Sequence, residues 1–209
     1  MSDPSGPING MSEQPLDLLT RAIDQMSAVI GNARFDASGN DLATRPTPCP
    51  QWDVRALTEH VIMDVDRFTL AAGGGRPDWS ALVPGVEGDW REAFDAKTPG
   101  LIAEWSKIKD FDTPVRMPIG GVPQSFVVKQ QLAEFAVHAW DLARSTGQQP
   151  EWDEEIAETA LDWSRMSLKP EFRGADKPFG AAQPEPAGAT PTQALIAWFG
   201  RDPHWAPQS

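Results

Sequence analysis

Two of the three histidines in this chain, His60 and His138, fall inside apolar, helix-forming segments, and Glu134 stands four residues before His138. An imidazole set among apolar neighbours costs free energy unless a partner satisfies it. On a helix, four residues amount to about 6 Å of rise and roughly 40° of net rotation, which puts Glu134 and His138 on one side at one level. His60 can add a third donor if the two helices are neighbours. Two imidazoles and a carboxylate suit a divalent metal and leave at least one coordination position for water or substrate, as in catalytic rather than closed structural zinc sites. Spacing alone leaves two other readings open: a solvated Glu/His surface pair, and a histidine satisfied within the core.

Other chemistries lack their patterns. A di-iron carboxylate bundle needs two Glu-x-x-His pairs and further glutamates, whereas Glu134 is four residues from His138 and no second pair exists. His60 follows Glu59 without completing HExxH, and neither GxxxxGK[ST] nor GxGxxG occurs. Gly73-Gly74-Gly75 reads as a helix stop. The single cysteine, Cys49, can form neither an internal disulfide nor a CxxC pair, and packing at a helix entrance is its expected role. Around the donors, Asp141 is a candidate to orient a ligand imidazole, with pairing to Arg55 or Arg144 as the alternative; Asp64, four residues after His60, carries the same ambiguity. Trp52 and Trp140 are candidates to wall a pocket. His204, in a Pro-bearing tail, is expected at the surface.

These residues need elements to carry them. Apolar positions at helical spacing predict helices over residues 13 to 33, 53 to 72 with Asp53 as cap, 125 to 145, 153 to 168, and from Thr192 to Phe199. A further helical stretch over 87 to 109 carries a break expected at Pro99-Gly100. Between 111 and 126, two short extended arms around Gly120-Gly121 predict a hairpin that its prolines confine to an edge. The predicted organisation is a disordered leader over residues 1 to 12, a helical bundle over 13 to 168, and a Pro- and Gly-rich arm with a docking helix over 169 to 209.

Composition narrows the partners. Eighteen basic against thirty acidic side chains give a formal charge of -12, which repels phosphate backbones and anionic lipid surfaces. No apolar stretch approaches the roughly 20 residues of a membrane helix, and the N-terminus lacks the pattern of a secretory signal. Neither nucleic acid nor membrane is an expected partner. A chain of 209 residues with one cysteine suits a single domain in a reducing cytoplasm, as monomer or homodimer.

The segment Thr47-Pro48-Cys49-Pro50-Gln51-Trp52-Asp53-Val54-Arg55-Ala56-Leu57-Thr58-Glu59-His60-Val61 resembles the Pro-x-Trp-x-Val-x-x-Leu-x-x-His signature of DinB-like bundles, specifically the mycothiol-dependent maleylpyruvate isomerase N-terminal group of actinobacteria. Glu134 to Gly147 is similar to that group's second motif, and Leu195 to Pro203 to the tail of its uncharacterised metal-binding subfamily. The resemblance spans about residues 14 to 205. It implies an all-α, up-down-down-up four-helix bundle holding a divalent metal on His60, Glu134 and His138. Zinc is favoured, and nickel or Fe(II) is compatible with the same donors. It further implies a low-molecular-weight thiol, mycothiol or a relative, activated for S-transfer to a small electrophile or for its thiol-assisted cis-trans isomerisation. A non-catalytic metal-binding or ligand-sensing protein is the alternative, because fold does not fix function. The isomerases proper carry an additional C-terminal domain where this chain has about forty residues after the fifth helix, a departure that puts maleylpyruvate isomerisation itself in doubt. Arg201 could replace a substrate-contacting group of that domain, but a helix-terminal charge is its expected role.

Overall fold

The computed structural model describes residues 10–117, 120–174 and 179–207, with side chains from Pro15 onward apart from that of Arg116. Of the predicted leader, residues 1–9 lie outside this range, as do Pro118 and Ile119 of the hairpin turn and residues 175–178 of the arm.

Helix α1 spans Gly10–Gly31, starting three residues before the predicted boundary at residue 13. It buries Leu18, Leu19, Ala22, Ile23, Met26, Val29 and Ile30, the stripe that a 3.6-residue period places on one face. Helix α2, Val54–Ala72, begins where the Asp53 carboxylate accepts the Ala56 N–H at 2.8 Å, and it stops at the glycine triplet, with Gly74 at φ +80°. The next helical stretch is two pieces, α3 (Trp90–Asp95) and α4 (Thr98–Trp105). The break falls at Ala96-Lys97 and not at Pro99-Gly100: Pro99 sits in the first turn of α4, where its missing N–H has no intrahelical acceptor to lose.

Strands β1 (Pro114–Met117) and β2 (Gly120–Pro123) pair antiparallel with Val115 opposite Val122, and lead directly into α5, Gln124–Thr146. Gly147, at φ +76°, supplies the left-handed cap that ends α5. Helix α6, Glu154–Ser167, starts on the Asp153 side chain, and a 3-10 turn at Pro170–Phe172 follows. Helix α7, Pro191–Trp198, is fixed by a capping box of Thr190 and Gln193.

Helix α5 is the shared wall of the molecule, packing on α1 and α2 on one side and on α6 and α7 on the other. Its first side joins a core with Leu57, Val61, Phe68, Phe94 and Trp105; its second side, with Val137 and Trp140, joins a separate cluster with Leu161, Trp163, Leu195 and Ile196. The result is the all-α, DinB-like architecture with one small hairpin. No helix among the described residues is long and apolar enough to cross a membrane. Because α2 lies directly against α5, the middles of these helices, where His60 and His138 sit, are brought together.

Candidate metal centre

The loop before α2 sets the first side of the site. Buried Thr47 places its hydroxyl 2.9 Å from the Cys49 carbonyl and 2.8 Å from that of Trp52, and accepts the Cys49 N–H at 3.1 Å. This knot, continued by Val54 N–H to the Arg45 carbonyl, fixes Trp52 over the helix it precedes. The indole stacks on His60 with centroids 4.3 Å apart and meets His138 edge-on at 5.7 Å. The two imidazoles are themselves nearly perpendicular, 86°, at 5.3 Å.

Glu134 and His138 come from one turn of α5, with Glu134 Oε2 3.2 Å from His138 Nε2. One donor atom from each of His60, Glu134 and His138 lies within 4.8 Å of the others, a spacing at which the three could hold a single ion. The set is chemically apt: imidazole nitrogens and a carboxylate suit a borderline divalent cation, and the limited exposure of all three withholds competing water.

Each imidazole has a carboxylate partner, and each of those carboxylates has an arginine. His138 Nδ1 is 3.1 Å from Asp141 Oδ2, and fully buried Asp141 receives Arg201 through Nε at 3.2 Å and Nη2 at 2.9 Å. On the other side His60 Nε2 is 3.2 Å from Asp64 Oδ2, while Asp64 Oδ1 accepts Arg67 Nη1 at 2.9 Å. Arg67 spends a second N–H on the Ala81 carbonyl at 2.9 Å.

The electrostatics of the two sides differ. Burial works against a charge on His138, but the adjacent Asp141 and Glu134 carboxylates prevail and hold its imidazolium up to about 9. Glu134 and Asp141 are in turn kept below the usual carboxylate range: burial opposes this, and it is outweighed by contact with His138 and by the Arg201 charge. Burial, then the neighbouring His138 charge, drives His60 down to about 4. Asp64 is pushed up to about 7 by burial and by Glu134, against the pull of Arg67.

A sequence profile of the mycothiol maleylpyruvate isomerase N-terminal domain matches residues 22–143. The chain belongs to this family. It is also 31% identical over 188 residues to uncharacterised proteins of Mycobacterium tuberculosis strains CDC 1551 / Oshkosh and ATCC 25618 / H37Rv, an alignment covering 90% of this chain and 97% of each relative. No solved structure matches it.

The family match contains the three clustered donors and Asp141 but stops short of Arg201, which the structure nevertheless places against Asp141. Arg201 does follow the end of α7, but beyond the helix-terminal charge expected from sequence it is the charge partner of buried Asp141. It is largely buried, and its Nη1 donates to the Phe199 carbonyl at 3.0 Å. The readable signal was Gly200. At φ +83° it closes a Schellman turn in which Gly200 N–H bonds the Ala197 carbonyl and Arg201 N–H bonds that of Ile196. A Cβ there would sit 2.9 Å from the Ala181 carbonyl oxygen, so the turn that aims Arg201 inward requires glycine.

Arg55, offered with Arg144 as the alternative partner of Asp141, is placed elsewhere. Its guanidinium lies 3.8 Å from Glu59 and over the Trp90 ring at 5.7 Å, because its place in the first turn of α2 turns it toward α3. Arg144 is likewise committed elsewhere, to the Trp205 carbonyl at 2.6 and 3.0 Å. Asp64 stands beside His60 as described. Of the two tryptophans, Trp52 covers the imidazoles, whereas Trp140 belongs to the α6/α7 cluster. Cys49 is half-buried, and burial raises its thiol above the ordinary range; His204 is exposed.

Proposed function

We propose that this protein binds one divalent metal ion, with zinc best suited and nickel or Fe(II) compatible, through His60, Glu134 and His138, and uses it with a low-molecular-weight thiol of the mycothiol type to act on a small electrophile. The single observation that carries this reading is the convergence of three donor atoms within 4.8 Å, two of them from one turn of α5 and the third from α2. Membership of a mycothiol-linked family supports the choice of thiol. When bound, such an ion supplies the Lewis acidity that lets a thiol give up its proton near neutral pH, so no protein cysteine is needed as nucleophile.

The chain's own residues prepare the place. Asp141, held by Arg201, accepts from His138 Nδ1 and thereby leaves Nε2, beside Glu134, as the donor atom. Trp52 lies flat on His60 and limits ring rotation and water access. Asp64 fixes His60 from its own helix. Three protein donors leave room for the thiol. Attack of its sulfur on an electrophilic carbon forms the C–S bond. Loss of a leaving group completes S-transfer; alternatively, addition to a C=C, rotation and C–S cleavage return the thiol and leave the geometric isomer. The cytoplasm, where such thiols are kept reduced, is the compartment this reading requires.

Protein purified without chelators or a nickel column should carry about one equivalent of metal by elemental mass spectrometry, and the His138→Ala variant should lose it. Equal metal in both would refute the site. Metal-loaded protein should then consume mycothiol with a halogenated aromatic acceptor, or convert a cis-enone to its trans isomer in the presence of mycothiol without net loss of the thiol. Retained metal without turnover across such acceptors would favour the non-catalytic, ligand-sensing alternative.

A further inference from the structure

A groove of about 500 Å³ lies between the start of α5, the end of α6 and the 3-10 turn, and shares no residue with the His60/Glu134/His138 cluster. Its wall is aromatic and thioether: Phe126 meets Trp163 edge-on at 5.2 Å, Phe172 borders it, and Met166 is 73% exposed beside them. Such a volume with apolar walls suits a small organic molecule rather than a folded partner. Besides Ser125 and Ser167, the polar side chains lining it are both cationic. Lys129 and Lys169 line the groove, no Asp or Glu does, and neither lysine has a carboxylate within 4.0 Å among the described residues. In a chain of net charge -12, a groove whose described lining holds no acidic group stands out. The buried indole N–H of Trp163 also has no acceptor among the described residues.

We propose that this groove binds a small amphipathic carboxylate, its apolar body against Phe126, Trp163, Met166 and Phe172 and its carboxylate between Lys129 and Lys169. Two lysines act as point charges for a single anionic head, and the apolar wall supplies the remainder of the affinity. This site is independent of the metal-centred function.

Calorimetry on the full chain with decanoate, decanol and decyltrimethylammonium tests it. Decanoate should bind and shift the Trp163 indole N–H resonance, assigned with Trp163→Phe; decanol should bind about tenfold more weakly and the cation not at all. Lys129→Glu/Lys169→Glu should weaken decanoate about tenfold or more with an unchanged melting temperature. His138→Ala should leave decanoate binding intact. Absence of decanoate binding, equal affinity for the three probes, undiminished affinity in the double variant, or loss of binding in His138→Ala would each overturn the proposal.

Discussion

His60 and His138 face each other at 5.3 Å, yet their surroundings ask opposite things of them. His138 stands between two carboxylates that remain ionised, Glu134 on its Nε2 side and Asp141 on its Nδ1 side, and Arg201 secures the second. His60 is covered by the Trp52 face, and its carboxylate, Asp64, is half neutralised by burial and shared with Arg67. In the metal-free protein the His138 side therefore keeps a proton that the His60 side refuses. A divalent cation would take over the positive charge that the α5 side already favours, and would meet a neutral imidazole from α2. Similar residue types, Asp and Arg around His, thus give a charged arm and a neutral arm, and the distinction lies in how far each carboxylate is desolvated and paired.

The largest expected effect comes from breaking the charged arm. Arg201→Ala leaves buried Asp141 with His138 as its one remaining charge partner, and should cost about 3–5 kcal/mol in chemical denaturation, together with about 10–100-fold in metal affinity by competitive chelator titration. A loss below 1 kcal/mol would mean that Arg201 is dispensable to this arm.

Next is the proton itself. The His138 pKa is raised from 6.5 to about 9 on folding, so its contribution is complete below about 6.5 and disappears as pH rises through 9. Metal-free protein should accordingly lose on the order of 3 kcal/mol between those limits, and His138→Gln should flatten that part of the profile. His60 and Asp64 work in opposite directions at lower pH. Lowered His60 loses stability as pH falls from 6.5 toward 4, and raised Asp64 gains it as pH falls from 7 toward 3.8, so little net slope is expected there.

The neutral arm should tolerate more. Asp64→Asn replaces a carboxyl that is already near half-protonation at pH 7, while Arg67 retains the Ala81 carbonyl; about 1–2 kcal/mol is expected in the same denaturation assay, less than for Arg201→Ala. Reversal of that order would erase the distinction between the arms. Smallest of all, Trp52→Leu removes the aromatic stack on His60 and should cost about 0.5–1.5 kcal/mol beyond lost burial, read by comparing melting curves with those of Trp52→Phe.

Much of the frame was legible one segment at a time. The stripe from Leu18 to Ile30, the Asp53 cap, the glycine stop at residues 73 to 75 and the return of Gly147 each carry a local cause, and the helices follow them. The break at Ala96-Lys97 was misplaced because proline in a first turn resembles proline as a breaker; only the neighbouring cap geometry separates the two. The 3-10 turn at Pro170–Phe172 has no periodicity to reveal it.

At the site, Glu134 and His138 could be joined by counting, since four residues on a helix define a direction. Asp141 was visible on the same face for the same reason, but its partner was not. Arg55 and Arg144 were nearer in sequence or in motif, while Arg201 arrives from sixty residues away through a glycine turn against Ala181. Sequence by itself determined which side chains share a helical face, because that depends on the repeat of the backbone alone. Tertiary structure decided which faces meet, which arginine neutralises Asp141, and which imidazole keeps the proton, because desolvation and charge pairing depend on groups brought together only by packing.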